Sequence, residues 1–176
     1  MRALGPGSVS SFLKIILDVV YAALWIGLVA AGAMTLASLL FSFNPALLAE
    51  VTQSAGAGEL AGRWPAVTGG LAAAALYVAG VLVIVGSLRR IFATLTAGDP
   101  FHPDNVRRLR LIGAMLAALE LGRYAVWAAG AWALSGAAKA ESGLNLTAWF
   151  SVLVVFVLAE VFREGARLRR EAELTI

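Results

Sequence analysis

Charged residues are absent from residues 19–49 and again from residues 64–88. Each run is longer than the roughly 20 residues that a helix needs to cross the hydrocarbon core of a bilayer. Residues 111–138 form a third apolar run, interrupted by Glu120 and Arg123, and residues 142–159 form a fourth that borrows a turn at its inner end. The pattern predicts an all-α integral membrane four-helix bundle. It is a single domain over residues 1–176, with spans at about 15–43, 65–88, 111–134 and 144–163. The first run is about twice as long as the apolar region of a signal peptide, so it reads as a retained span.

Two of these helices are expected to continue beyond the membrane. After the second uncharged run, Leu88, Ile91, Phe92 and Leu95 keep the i, i+3, i+4, i+7 spacing of one helix face. That helix should reach Ala97 and stop at Gly98, which suits a left-handed backbone just past a helix end, with Pro100 preventing resumption. In the fourth helix Leu158, Val161, Phe162, Gly165, Leu168 and Ala172 form an apolar seam, and charged residues cover the rest. The two projecting faces are expected to pack together with Phe101 as a plug. Residues 89–110 with 164–176 then make a cytoplasmic cap. Its candidate partner-binding residues are Gly98, Asp99, Pro100, Phe101, Asn105, Arg110, Leu168 and Leu174. Pro103 fits the first turn of the third helix, and Asp104 lies near that helix's positive end. His102 becomes a turn residue with a structural or capping role, pH sensing being the alternative.

Composition agrees with the membrane reading, at 60% hydrophobic and 14% charged residues. The net charge of +3 gains meaning from where the cations fall. With both termini inside, Arg2, Lys14, Arg89, Arg90, Arg107, Arg108, Arg110, Arg163, Arg167, Arg169 and Arg170 are cytoplasmic, against Arg63 and Lys139 outside. Because cytoplasmic loops retain Lys and Arg, this orients the chain with cytoplasmic N- and C-termini. It also accounts for the basic balance without direct nucleic-acid binding, for which no recognition motif is present. Arg107, Arg108 and Arg110 are placed to meet anionic headgroups of the lipid bilayer.

Polar residues within the spans are the other candidates. Glu120 with Arg123 and Glu160 with Arg163 are i, i+3 pairs, so each pair shares a helix face. With Asp18 they form a candidate intramembrane polar layer of Asp18, Glu120, Arg123, Glu160 and Arg163. An Asp or Arg at a span centre costs about 2.5–3.5 kcal/mol, so these groups are expected to face the bundle interior and pair. One reading is a charge-balanced clasp that includes Lys14. The other is a ligand or proton site with Tyr21 and Tyr124 as neighbours, although an arginine beside each glutamate disfavours a proton carrier. Gly27 with Ala31 and Gly113 with Ala117 have the spacing of close helix approach. The five tryptophans read as lipid-facing or interfacial anchors. Asn145-Leu146-Thr147 matches a glycosylation sequon, with helix capping as the favoured role.

The absence of cysteine removes disulfides and thiol chemistry. A lone histidine makes no metal site, and there is no nucleophile–base pair or phosphate loop. No catalytic residue, metal or cofactor is therefore expected, and the chain is read as a non-enzyme. IFATLTAGDPFHPDNVRRLRLIG and LAEVFREGARLRREAELTI resemble the bacterial four-span membrane proteins grouped as domain of unknown function 2975 (YoaS-like). The family pattern falls on Gly98, Pro100, Phe101, Asn105, Leu109 and Arg110, then on Glu160, Phe162, Arg163, Gly165, Leu168, Glu173, Leu174 and Thr175. The resemblance implies an inner-membrane location and, from the regulators such proteins are often encoded beside, a cytoplasmic helix-turn-helix partner. The expectation is a regulatory or sensory membrane protein. The alternative is small-solute, lipid or ion binding or transport through the polar layer, which lacks the inverted repeats or broken helices of many transporters. Homo-oligomerisation is left open.

Overall fold

The structure, a computed structural model, describes residues 9–54, 56, 58–133 and 143–173. Every regular element among them is helical: α1 (Val9–Ser42), α2 (Pro45–Ser54), a 3-10 helix (Gly58–Arg63), α3 (Trp64–Thr96), α4 (Pro103–Ala133) and α5 (Leu146–Glu173). Four of them, α1, α3, α4 and α5, are long and apolar enough to cross a membrane, as in a multi-pass membrane protein. Length beyond a minimal span is not confined to the second and fourth of these. α1 has 34 residues, α3 33, α4 31 and α5 28. At 1.5 Å per residue even α5 is about 42 Å long against a hydrocarbon core of about 30 Å.

Local chemistry sets the boundaries. Asn44 accepts the Leu47 N–H (3.3 Å) and Pro45 occupies the first helical position, so α2 begins immediately after α1 ends. α2 was not expected from the uncharged run alone; Asn44-Pro45 was its signal. Asn145 likewise accepts the Ala148 N–H (3.2 Å), giving the sequon asparagine the capping role at the start of α5. α3 ends in a full Schellman motif: the Asp99 N–H bonds the Thr94 carbonyl (3.0 Å) and the Gly98 N–H bonds that of Leu95 (3.1 Å). Gly98 supplies the positive φ of 82° that this closure needs.

Contacts divide the chain into two units. One comprises the described parts of residues 25–79 and 121–142. In it the Trp64 indole N–H donates to the Ser38 carbonyl (2.9 Å), and the Ser38 and Thr68 hydroxyls share a 2.6 Å hydrogen bond. Trp64 thus ties the start of α3 to α1 and is only half-exposed, whereas Trp25 and Trp127 remain exposed as anchors would be.

The other unit comprises the described parts of residues 1–24, 80–120 and 143–176. Its core is built from small contacts. Val152, Ala159 and Ala166 are buried on α5, seven residues apart, with Val155 and Phe162 half-buried between them. This 3-4 alternation is the spacing of knobs-into-holes packing. The expected seam is corrected in part: Phe162 and Gly165 lie on the packed side, but Leu158, Val161 and Leu168 are exposed, and the smaller Ala159 and Ala166 face inward because they permit close approach. Leu168, a cap candidate, is 53% exposed. On α3, Ser87 and Ile91 are buried while Leu95 is not. A Cβ at Gly80 would lie 2.7 Å from Leu119, and one at Gly113 would lie 3.0 Å from the Phe156 ring. Gly27, paired with Ala31 by spacing, has nothing near it.

Because the closure of α3 depends on a left-handed residue, Gly98→Ala is expected to destabilise the protein by about 1–2 kcal/mol. Thermal unfolding in detergent checks this as a lowered midpoint, with Gly27→Ala, placed where nothing is near, unchanged or raised.

Candidate functional site

The turn between α3 and α4 is held by one buried amide. Asn105, in the first turn of α4, is 0% exposed. Its Nδ2 donates to Thr94 Oγ1 (2.7 Å) on α3 and to the Pro100 carbonyl (3.1 Å) in the turn. Its Oδ1 accepts from Arg108 Nη1 (3.1 Å), which also reaches the Arg90 carbonyl (3.2 Å). The Thr94 hydroxyl passes its own proton to the Ile91 carbonyl (2.7 Å). Both donors and the acceptor of the amide are satisfied, which makes its complete burial tolerable. His102 caps α4: its Nδ1 accepts the Asp104 N–H (3.2 Å), and its carbonyl accepts the Asn105 N–H (2.9 Å).

With the turn fixed, Phe101 projects toward α5. The Phe101 ring lies over Gly165, where an added Cβ would stand 2.6 Å from it, and meets Phe162 at a centroid distance of 5.7 Å and 50° tilt. Asp99 is ion-paired with Arg169 on the same helix. Of the ion pairs around the cap, Glu164–Arg167 (2.5 Å) and Arg167–Glu171 (3.7 Å) are exposed, and Asp104–Arg108 (3.9 Å) is exposed on its carboxylate side. Exposed pairs contribute only about 0–1 kcal/mol each, so burial of Asn105 and seating of Phe101 dominate the joint. Between turn and helix lies a cleft of about 180 Å³ lined by Asp99, Phe101, Pro103, Ala166, Arg169 and Arg170. Leu174, like Thr175 and Ile176, lies outside the described residues, as do Arg2 and Lys139.

The five polar-layer candidates are placed differently from one another. Asp18 pairs with Arg89 on α3 at 2.6 Å, and the Arg89 guanidinium lies 4.3 Å from the Tyr21 ring centroid. Arg89 had been read only as an orientation signal, so the charge that holds Asp18 was missed. Glu160 pairs with Arg163 as their spacing requires and approaches Arg110 at 3.7 Å. Yet the Glu160 and Arg163 side chains are 54% and 59% exposed. The expectation that they face a buried interior is corrected: they lie on an exposed face of α5, with Glu160 turned toward Arg110 of α4. Glu120 is buried at 7% exposure, and the Arg123 guanidinium lies 4.7 Å from the Tyr124 ring centroid. Among the described residues no three His, Asp or Glu side chains gather as a metal-binding group.

A family model described as a protein of unknown function, DUF2975, matches residues 47–176. The chain belongs to the DUF2975 family. No curated protein and no solved structure matches the chain. In this DUF2975 chain the matched region takes in the whole joint from Thr94 to Arg169, while Asp18 and Tyr21 precede it. The joint therefore lies inside the matched region, and the α1 side of the Asp18–Arg89 pair lies outside it.

Asn105→Ala removes the amide but leaves the Pro100 carbonyl and Thr94 hydroxyl behind. Leaving these part-buried groups without their partner costs about 1–3 kcal/mol each. The expected outcome is a loss of about 2–4 kcal/mol, read as a clearly lowered unfolding midpoint, with Asn105→Asp less damaging than Asn105→Leu.

Proposed function

We propose that the chain is an inner-membrane protein with cytoplasmic N- and C-termini whose α3–α4 joint, packed on α5, is a docking platform for a soluble regulator. In this reading the ends of α3 and α5 project into the cytoplasm beside the Lys- and Arg-rich segments. The observation that carries it is the cleft beside Phe101. It is too small for a metabolite of ordinary size but fits one large side chain of a partner. Its walls combine an aromatic ring still 38% exposed with the guanidinium of Arg170, which has no ion-pair partner among the described residues. Aromatic and arginine side chains of this kind are the usual anchors of a protein interface. The partner class, a small cytoplasmic helix-turn-helix regulator, comes from the resemblance to the family. The competing idea of a polar path for solutes or ions is weakened because Asp18 and Glu160 are each committed to neighbouring arginines.

Two measurements test this. The chain contains no cysteine, so one introduced at His102 should react with a membrane-impermeant maleimide only after the cytoplasm is opened, and one at Glu50 should react in intact cells. The reverse pattern overturns the orientation. In mild detergent, a regulator retained by the native chain should be lost from Arg170→Glu at unchanged insertion; equal retention by both chains overturns the docking site.

A further inference from the structure

Arg90 lines two clefts at once. One, of about 500 Å³, lies between α1 and α3 and is bordered by Lys14, Asp18, Tyr21, Arg89 and Arg90. The other, of about 280 Å³, lies between α3 and α4 and is bordered by Arg90, Arg107 and Arg108 with Asp104, the buried Ser87 and Leu111. Each cleft has three cationic side chains against one carboxylate. In the first, Asp18 is taken up by Arg89 at 2.6 Å; in the second, Asp104 faces Arg108 at 3.9 Å. Lys14, Arg90 and Arg107 are left without an ion-pair partner among the described residues. The positive charge is thus concentrated on both sides of one arginine and is not balanced by ion pairs among the described residues.

The level of this charge on the helices identifies what balances it. α1 carries no charged residue from Val19 to its end, α3 none before Arg89, and α4 none from Leu111 to Leu119. Every cation in the two clefts therefore stands within about two turns of the point where its helix becomes apolar. Leu17 and Phe92 line the first cleft and Leu111 the second, so each has an apolar wall beside its cations. A basic pocket between apolar helices at the edge of the hydrocarbon core is the recognised setting for an anionic lipid headgroup.

We propose that Arg90 is the centre of a binding site for an anionic phospholipid carrying two phosphodiester groups, one phosphate seated with Lys14 and Arg89 and the other with Arg107 and Arg108. Two phosphates on one molecule match two clefts that share a guanidinium, whose several N–H groups serve acceptors on both sides. A lipid with a single phosphate fills one cleft only. A soluble phosphate satisfies the charge but leaves the apolar walls uncovered. The site is independent of partner docking at the cleft beside Phe101, which shares no residue with the lipid clefts.

The test uses the full chain, stripped of lipid in detergent, with thermal unfolding and retained-lipid mass spectrometry as readouts. The probes are diphosphatidylglycerol, phosphatidylglycerol at matched phosphate, phosphatidylcholine and inorganic phosphate. The expected result is the largest rise in midpoint with diphosphatidylglycerol, a smaller one with phosphatidylglycerol and none with the other two. Arg90→Gln should remove the excess and cut retained diphosphatidylglycerol at least about fivefold, the effect of one well-placed cation at a membrane surface. Arg107→Gln should act in the same direction, and Arg63→Gln, altered in the other unit, should respond as the native chain does. Equal stabilisation per phosphate by the two anionic lipids overturns the two-cleft site. An equal effect of inorganic phosphate overturns the lipid assignment, and undiminished binding by both Arg90→Gln and Arg107→Gln overturns the location.

Discussion

A primary amide removed entirely from water fixes the geometry of the joint. Asn105 spends its hydrogen bonds on three separate stretches of chain: the last turns of α3 through Thr94, the turn itself through the Pro100 carbonyl, and its own helix through Arg108. An amide buried without those partners is costly, so the arrangement that satisfies all of them is strongly selected over alternatives that satisfy only some. The Schellman closure at Gly98 and the His102 cap bring the two helix ends to the distance at which this can happen. Phe101 has no freedom left once they do, and its ring is delivered to the glycine on α5.

This constraint explains why a chain so rich in apolar residues carries a polar knot between its second and third long helices. Lipid has no preference for one apolar helix face over another, so burial of Leu and Val does little to choose a helix register. Small side chains and polar groups choose it. In the unit that contains the joint, Gly80 meets Leu119, Gly113 meets Phe156 and Gly165 meets Phe101, each a large side chain that would have to shift to admit a methyl group. Ala159 and Ala166 continue the same principle along α5. The exposed ion pairs of the arginines contribute little to the register itself.

Much of this was legible in the sequence, for identifiable reasons. Uncharged runs are an unambiguous signal of long apolar helices. Gly98-Asp99-Pro100 and Pro103 mark a helix end and a helix start through backbone requirements that few other residues meet. Phe101 as the plug of the turn follows from an apolar residue in an otherwise polar connection. Phe162 and Gly165 of the α5 seam were placed rightly, but Leu158, Val161 and Leu168 were not, because large apolar side chains weigh most in a periodicity argument, whereas close packing here uses alanine. Asn105 was identified as a cap residue, but its hub role depends on Thr94, eleven residues away, and such a pairing has no local signature. The Asp18–Arg89 pair was hidden for a similar reason: Arg89 already had a sufficient explanation as an orientation signal.

The most direct test of the joint is a thermodynamic cycle between Phe101 and Gly165. In open space Gly165→Ala would stabilise α5 by about 1 kcal/mol through helix propensity alone. Beneath the Phe101 ring the same methyl group has no room. Unfolding in detergent should therefore show Gly165→Ala destabilising the native chain and stabilising the Phe101→Ala chain, a coupling of about 1–3 kcal/mol. If Gly165→Ala raises the midpoint equally in both backgrounds, the ring does not sit on that glycine and the account of the joint is contradicted.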